Sequence, residues 1–252
     1  EIVKITNELG VPVNLDDNTD LAKIVASTVG TKFASKWGSL IVDLAVDAVR
    51  KVWRKDDQGN VEIDIKRYAK VEKIPGGEVE DSRVLKGVMI NKDVTHPKMR
   101  RKIHNPRILL LDCTLEYKKG ESQTNVEIND EKAWEELLRQ EEEHIKSLCD
   151  EIIAFKPDLV VTEKGVSDLA QHYLQKANIS VLRRVRKTDN NRIARATGAT
   201  IVHRTAEIQE KDVGTGCGLF TVEKIGDEYY SWLVDCEAPM ACTIILRGAS
   251  KD

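Results

Sequence analysis

Ile108-Leu109-Leu110-Leu111, Leu159-Val160-Val161 and Val181-Leu182 are three short, wholly apolar runs, each followed by residues at helical spacing. A helical pattern from about Glu131 to Ala154 follows the first, Val166–Ala177 the second and Asp189–Thr197 the third, and Ala199–Val202 closes the series. Apolar runs this short, alternating with helices, are how a parallel sheet with right-handed crossovers reads in sequence. Toward the C-terminus the rhythm changes to a hairpin, Leu219–Ile225, a Gly226-Asp227 turn and Tyr229–Val234, since a two-residue turn with glycine suits antiparallel strands. A last strand, Thr243–Leu246, ends at Arg247-Gly248. The predicted class is α/β with antiparallel additions.

Working outward toward the N-terminus, residues 19–54 read as mostly helical. Leu40, Ile41, Leu44, Ala45, Ala48, Val49 and Val52 form one stripe, with Asp43, Asp47, Arg50 and Lys51 opposite. Asp56–Asn60 is a polar turn, and Val61, Ile63 and Ile65 then alternate with charged residues as a half-buried strand does. Pro75-Gly76-Gly77 is the strongest local break and marks a hinge or boundary. The helix from Glu131 carries Glu135, Glu136, Glu141, Glu142 and Glu143 beside Trp134, Leu137, Leu138, Ile145, Leu148 and Ile152. At 1.5 Å per residue it extends about 36 Å, more than a crossover over a small sheet requires. Part of it is therefore expected to project.

The chain has 252 residues, 41% hydrophobic and 32% charged, enough for one large domain or two small ones. A net charge of −3 and a pI near 6.1 give no global basic excess for nucleic acid, and 5% aromatics offer few stacking platforms. No apolar run approaches the roughly 20 residues of a membrane helix, and residues 1–20 lack a signal-peptide pattern, which argues against membrane insertion and secretion. Five cysteines, odd in number and without a C-x-x-C, argue against a zinc module or disulfide scaffold and suit a reducing compartment. Cys236 and Cys242 are close enough for a bridge, but under reducing conditions they read as two thiols flanking a turn.

Catalytic patterns are missing: there is no phosphate-binding loop with a lysine, no nucleophile elbow and no zinc helix. Gly214-Thr215-Gly216-Cys217-Gly218 precedes a strand rather than a helix, so it reads as a glycine-rich turn. Asp112, at a strand end, has no histidine or carboxylate partner nearby in sequence. Two basic stretches remain, Lys92–Lys102 and Arg183–Lys187, with Val185 continuing a strand alternation in the second. Either could meet nucleic acid or an acidic protein segment. The first, a long loop fixed by Pro97, is the harder to explain as plain surface. The helix at 166–177 presents Val166, Leu169, Ala170, Tyr173, Leu174 and Ala177 on one face and Asp168, Gln171, His172, Gln175 and Lys176 on the other.

Pro75–Ser82 with Leu85-Lys86-Gly87-Val88, Leu115-Glu116-Tyr117-Lys118, Asp168–Leu174 and Ala194–Ala199 together resemble the apical-domain region of group II chaperonins. His96–Arg101 and Arg183–Ala196 resemble the eukaryotic cytosolic branch of that family, TRiC/CCT. The resemblance implies an intermediate-domain segment at 1–76, in which Ser35-Lys36 and Val46–Val49 match helical motifs. It further implies an apical domain at 77–239, a helical protrusion at about 118–150 serving as a built-in lid, and a return strand at 240–252. Gly76, Gly77 and Pro239 would form a paired hinge. Nonnative polypeptide would bind through His96, Lys98, Arg100 and Arg101 of one loop and Asp168, Gln171, His172, Gln175 and Lys176 of one helix. The implied clients are actin and tubulin, and the implied assembly is a cytoplasmic hetero-oligomeric double ring with other subunits. No metal or other cofactor is implied in this chain, because ATP and Mg belong to an equatorial domain that the sequence does not contain.

Overall fold

The computed structural model describes residues 1–11, 13–14, 17–30, 36–56, 58–117 and 131–250. Ser35, the first part of the expected protrusion (118–130) and residues 251–252 lie outside them. The chain starts with helices α1 (Ile2–Leu9), α2 (Asn18–Val29) and α3 (Leu40–Val52). A small hairpin, β1 (Arg54–Lys55) and β2 (Val61–Glu62), leads through a one-turn helix α4 (Ile65–Tyr68) into β3 (Ala69–Pro75). Strands β4 (Arg83–Val84), β5 (Val88–Ile90), β6 (Lys102–His104) and β7 (Ile108–Leu111) follow, then the long helix α5 (Glu131–Ile153). The chain continues as β8 (Leu159–Thr162), α6 (Asp168–Lys176), β9 (Ser180–Leu182), α7 (Lys187–Thr197) and β10 (Ile201–Val202). It ends with the hairpin β11 (Leu219–Ile225) and β12 (Glu228–Val234), and β13 (Cys242–Gly248).

The predicted parallel sheet is present, in the order β10-β7-β8-β9. Every residue of β7 and β8 is withdrawn from water, so the sheet must be covered on both faces. Right-handed crossovers decide how. Two successive steps in one direction, β7 to β8 and β8 to β9, place α5 and α6 together on one face, where they touch each other. The step from β9 back to β10 reverses direction and carries α7 to the other face, against β5 of the antiparallel sheet β5-β12-β11-β6. Ile145, Cys149 and Ile152 of α5, Ala170 and Leu174 of α6, and Ile193 and Ala196 of α7 share one core with Phe220 and Leu233 of the hairpin. Burying each such large aliphatic side chain contributes about 2 kcal/mol.

The hairpin forms at the predicted residues, with Leu219 opposite Val234 and Ile225 opposite Glu228. Helix α5 spans about 34 Å. Its side chains from Lys132 to His144 stay partly or fully in water, with Trp134 and Leu138 exposed, and burial begins only at Ile145. The expected projection of this helix is thus its N-terminal half.

Three expectations need correction. Val61, Ile63 and Ile65 do not form a half-buried strand: all three are exposed, pairing stops at Glu62, and Ile65 opens α4. The Asp64 carboxylate accepts from the Arg67 amide and so starts a helical turn where alternation suggested extension. Arg183–Lys187 does not continue a strand either. Arg184 takes the left-handed conformation at φ 52, and its amide donates to the Lys164 carbonyl. Val185 is buried for a different reason than alternation, because its amide donates to the Thr162 carbonyl as the chain turns into α7.

The third correction concerns the strongest break. Gly76 and Gly77 both have positive φ, yet β13 pairs with β3 on one side and with β4, beyond the glycines, on the other. The glycine pair therefore turns the chain within one sheet, and the Gly76 amide is tied to the Gly248 carbonyl. The chain actually passes between sheets at 85–87 and returns at 235–241, including Pro239. These two segments run side by side: Cys236 N donates to Lys86 O at 3.2 Å, and Thr243 N to Gly87 O at 3.1 Å. Gly87 makes that approach possible. At φ 147, a Cβ there would stand 2.0 Å from the Leu233 carbonyl oxygen.

A polar cluster fastens α7 to the segment 62–72. Arg192 Nε donates to the Arg67 carbonyl and its Nη1 to Asp189, while Lys70 bridges Asp189 and Glu72. Arg195 pairs with Glu62 and stacks on the Tyr68 ring at 3.5 Å. Arg192 and Asp189 are buried, so each charge depends on its partners to offset its desolvation.

Gly87→Ala is expected to destabilise the fold by about 3 kcal/mol or more, because neither backbone can yield. Gly226→Ala, at φ 61 in an open turn, is expected to cost about 1 kcal/mol. Urea midpoints of the two variants check this ordering.

Candidate functional site

The loop between β5 and β6 folds back along β9 and the turn that leaves α6. Thr95 N donates to the Val181 carbonyl, and Ser180 Oγ donates to the Arg100 carbonyl at 2.7 Å. Met99 plugs the core beneath the loop. Loop and helix, far apart in sequence, thus become neighbours through the α6–β9 connection.

The basic side chains of this loop divide in two. Arg100 Nη2 donates to Asp158 Oδ1 at 2.9 Å and to the Asn178 carbonyl at 2.7 Å. Asp158 also accepts from the Arg107 amide at 3.0 Å. Arg100 is therefore an anchor of the loop, half-buried, and is not available as a free cation. Arg101 pairs with Asp93 at 2.7 Å and lies over the Tyr229 ring. Lys98 remains exposed, and His96 Nδ1 accepts from the Lys98 amide at 3.2 Å, which holds the turn around Pro97.

Helix α6 begins at Ser167, whose side chain accepts from the Ala170 amide. Val166, Ala170 and Leu174 are buried as predicted. Gln171, expected on the polar face, is instead 5% exposed. Its amide donates to the Val166 carbonyl at 3.1 Å and to Asp168 Oδ1 at 3.3 Å, so it supports the helix start and does not present itself outward. Asp168, His172 and Lys176 are exposed and Gln175 half-exposed. Leu169 and Tyr173, assigned by periodicity to the core, lie half-buried at its rim, with the His172 ring edge-on to Tyr173 at 6.0 Å. These two apolar side chains are the members of the face that the polar pattern missed; their offset of about 60–100° from Ala170, to the same side, was the available signal.

The open face is thus a short row of Asp168, His172, Gln175 and Lys176 with apolar Leu169 and Tyr173 beside it, and Lys98 on the neighbouring loop. It mixes one acid, two lysines, a histidine and neutral groups, without the convergent nucleophile and proton donor that covalent catalysis requires. Among the described residues no group of three or more His, Cys, Asp or Glu side chains is placed to hold a metal ion. In the first basic stretch Arg100 and Arg101 already have carboxylate partners, which leaves it fewer free cations for nucleic acid.

Open α/β sheets place ligands where the strand order reverses, here between the ends of β7 and β10. The structure supplies the partner for Asp112 that local sequence lacked: its Oδ2 lies 2.5 Å from His203 Nδ1. The imidazole is 74% exposed, so the pair joins two strand ends in water and has little of the desolvation that a catalytic dyad needs. Cys236 and Cys242 are both free thiols. Cys242 Sγ lies on the Ala48 carbonyl, and Cys236 Sγ lies near the Leu233 carbonyl, so they serve different contacts. No helix among the described residues is long and apolar enough to cross a membrane.

Comparison with known proteins extends the picture. The sequence profile of the TCP-1/cpn60 chaperonin family matches residues 1–252. T-complex protein 1 subunit gamma of Schizosaccharomyces pombe is 62% identical over 252 residues, covering all of this chain and 48% of that protein. The protein of the same name from Drosophila melanogaster is 63% identical over 248 residues, 98% of this chain and 45% of its own. The chain thus spans about half the length of the curated relatives it matches. Among solved structures, the open-state monomer of a group II chaperonin from Methanococcoides burtonii superposes with a TM-score of 0.76 at 28% identity, over 98% of this chain and 55% of that one.

Arg100→Ala is expected to lower stability by about 2 kcal/mol and Gln171→Ala by about 1 kcal/mol, since each leaves buried or half-buried acceptors unpaired. Lys98→Ala and His172→Ala should stay within about 0.5 kcal/mol of the parent. Urea titration of the four variants separates anchors from open groups.

Proposed function

The chain belongs to the TCP-1/cpn60 chaperonin family, and from that premise we propose that it is the part of a chaperonin subunit that captures nonnative polypeptide and closes over it. In this reading residues 77–239 are the apical domain, and 1–76 with 240–252 belong to the intermediate domain. The observation that carries it is the division on α6 and its neighbouring loop. Gln171, Arg100 and Arg101 are committed to internal bonds, while His172, Gln175, Lys176 and Lys98 are left open on a rigid support, with Asp168 exposed beside them as it accepts from Gln171.

Such a face suits clients that are unfolded yet selected. Leu169 and Tyr173 offer apolar contact at the rim, and the charged groups penalise segments that would leave them unpaired. Acidic stretches of clients such as actin and tubulin meet Lys98 and Lys176. His96 acts through the loop turn it holds. The projecting half of α5, with Trp134 and Leu138 in water, is the stem of a lid completed by neighbouring subunits in a hetero-oligomeric ring in the cytoplasm. Enclosure there separates a client from aggregation partners.

Nucleotide chemistry falls outside this chain in the same reading. The sequence carries no phosphate-binding loop, so ATP and Mg act in the remainder of the full-length subunit, an ATP-hydrolysing chaperonin. Nucleotide state would reach the client face through the crossing at 85–87 and 235–241, next to Pro239, with Gly76-Gly77 shaping the sheet below it. Few residues then absorb the backbone change, as hinges require.

Urea-denatured actin is expected to bind the chain, and combined alanine replacement of Asp168, His172, Gln175 and Lys176 should weaken that binding at least tenfold, as should Lys98→Glu in part. Unchanged affinity in both variants would move recognition elsewhere. Calorimetric titration with Mg-ATP should give no saturable heat; a stoichiometric, tight isotherm would overturn the assignment of nucleotide chemistry to the missing part.

A further inference from the structure

The glycine-rich segment 214–218 has a structural explanation that exposes a second kind of site. A Cβ at Gly214 would stand 2.7 Å from the Ala199 Cβ, and one at Gly216 would stand 3.0 Å from the Thr197 carbonyl. The segment therefore lies flat against the end of α7. A Cβ at Gly218 would meet the Asp235 carbonyl at 2.7 Å, which marks an equally close approach to the opposite strand.

That opposite segment continues from β12; the regular pairing ends at Leu219 opposite Val234, and beyond it single hydrogen bonds join the two segments. Gly218 N donates to Asp235 O at 3.1 Å, and Glu237 N donates to Gly216 O at 3.1 Å. The two bonds flank Cys217 and Cys236 and set their backbones opposite each other. Directly opposed residues of two antiparallel segments have Cα atoms about 4.5–5.5 Å apart, within the roughly 4.4–6.8 Å that a disulfide spans. Both thiols are buried; Cys217 Sγ lies 3.4 Å from the Leu219 carbonyl and 3.5 Å from that of Val234, and Cys236 Sγ lies 3.8 Å from the Leu233 carbonyl. The proximity of the two thiols draws that of Cys217 below its ordinary value and pushes that of Cys236 up. Cys242 and Cys149 rest on the carbonyls of Ala48 and Ala170, away from this pair.

We propose that Cys217 and Cys236 are a redox-active dithiol that closes to an intramolecular disulfide. The oxidant is a low-molecular-weight disulfide of the glutathione class. The Cys217 thiolate attacks one of its sulfurs, forming a mixed disulfide and expelling one glutathione thiolate. Cys236, deprotonated, then attacks the Cys217 sulfur and expels the second. Two protons and two electrons leave the protein, and one glutathione disulfide becomes two thiols. Access comes from opening of the ladder end, where Asp235 sits in the left-handed conformation at φ 56 and Gly218 N is shared between two carbonyls. Because Cys236 begins the return crossing, the bridge ties that crossing to the strand beneath α7, independently of whether the chain binds clients.

The chain is incubated with excess oxidised glutathione at pH 8, quenched with iodoacetamide and mapped without reduction. Accessible thiols in denaturant should fall from five to three, with one linked peptide joining Cys217 to Cys236 and full reversal by dithiothreitol. Cys217→Ser and Cys236→Ser should each retain all of their remaining thiols. Five thiols left in the parent, a stable glutathione adduct as the end product, a peptide joining Cys236 to Cys242, or loss of two thiols in Cys217→Ser would each overturn the proposal.

Discussion

Eight residues of two adjacent strands, Ile108–Leu111 and Leu159–Thr162, lie side by side with no access to water. A parallel sheet buried this way cannot leave either face bare, because the apolar side chains alternate between both faces. Everything around it is cover. α5 and α6 close one side, α7 closes the other, and the antiparallel sheet packs behind α7 through Val88, Ile90, Phe220 and Leu233. The open row on α6 exists because the opposite side of that helix, through Ala170 and Leu174, is committed to this sheet. The client face proposed on this helix is held in place before any contact, which would lower the entropic cost of binding there.

The same demand for cover sets the mechanics. α7 packs on the sheet through Ile193 and Ala196, which turns Asp189, Arg192 and Arg195 toward the segment 62–72. These charges join two parts of the chain that also meet through the crossing at 85–87 and 235–241 and through the buried apolar cluster of Ile74, Leu85, Met89, Tyr230, Trp232 and Ile245. Buried ion pairs of this kind hold one arrangement tightly and are costly to break singly. Any rearrangement that separated α7 from the segment 62–72 would have to break these pairs.

Polar residues divide along the same line between support and surface, and that division was only partly legible. Ile108–Leu111, Leu159–Val161 and the hairpin around Gly226 announce themselves because their patterns are local: strand period, apolar run, turn glycine. The polar side of α6 was legible as a face, but not which of its residues stay open. Gln171 turns inward because the Val166 carbonyl at the helix start needs a donor. Arg100 is withdrawn by Asp158 and Asn178, 58 and 78 residues away. Charge density in a loop says nothing about partners at that distance.

By itself the sequence determined the α/β class, the order of strands and helices from Ile108 to Val234, the projecting helix after Glu131 and the family resemblance, since periodicity and motif spacing are properties of neighbouring residues. Tertiary structure alone decided four further points. The chain crosses between sheets near Gly87 and not at Gly76-Gly77. Val61–Ile65 breaks into a helical turn. Asp112 meets His203, and Cys236 faces Cys217 rather than Cys242. Except for the turn at Val61–Ile65, which the local Asp64–Arg67 contact starts, the deciding contact joins residues apart in sequence, whose register is set by packing the whole core. A sequence pattern records which side of an element is apolar; what stands opposite it is fixed only when the sheets close.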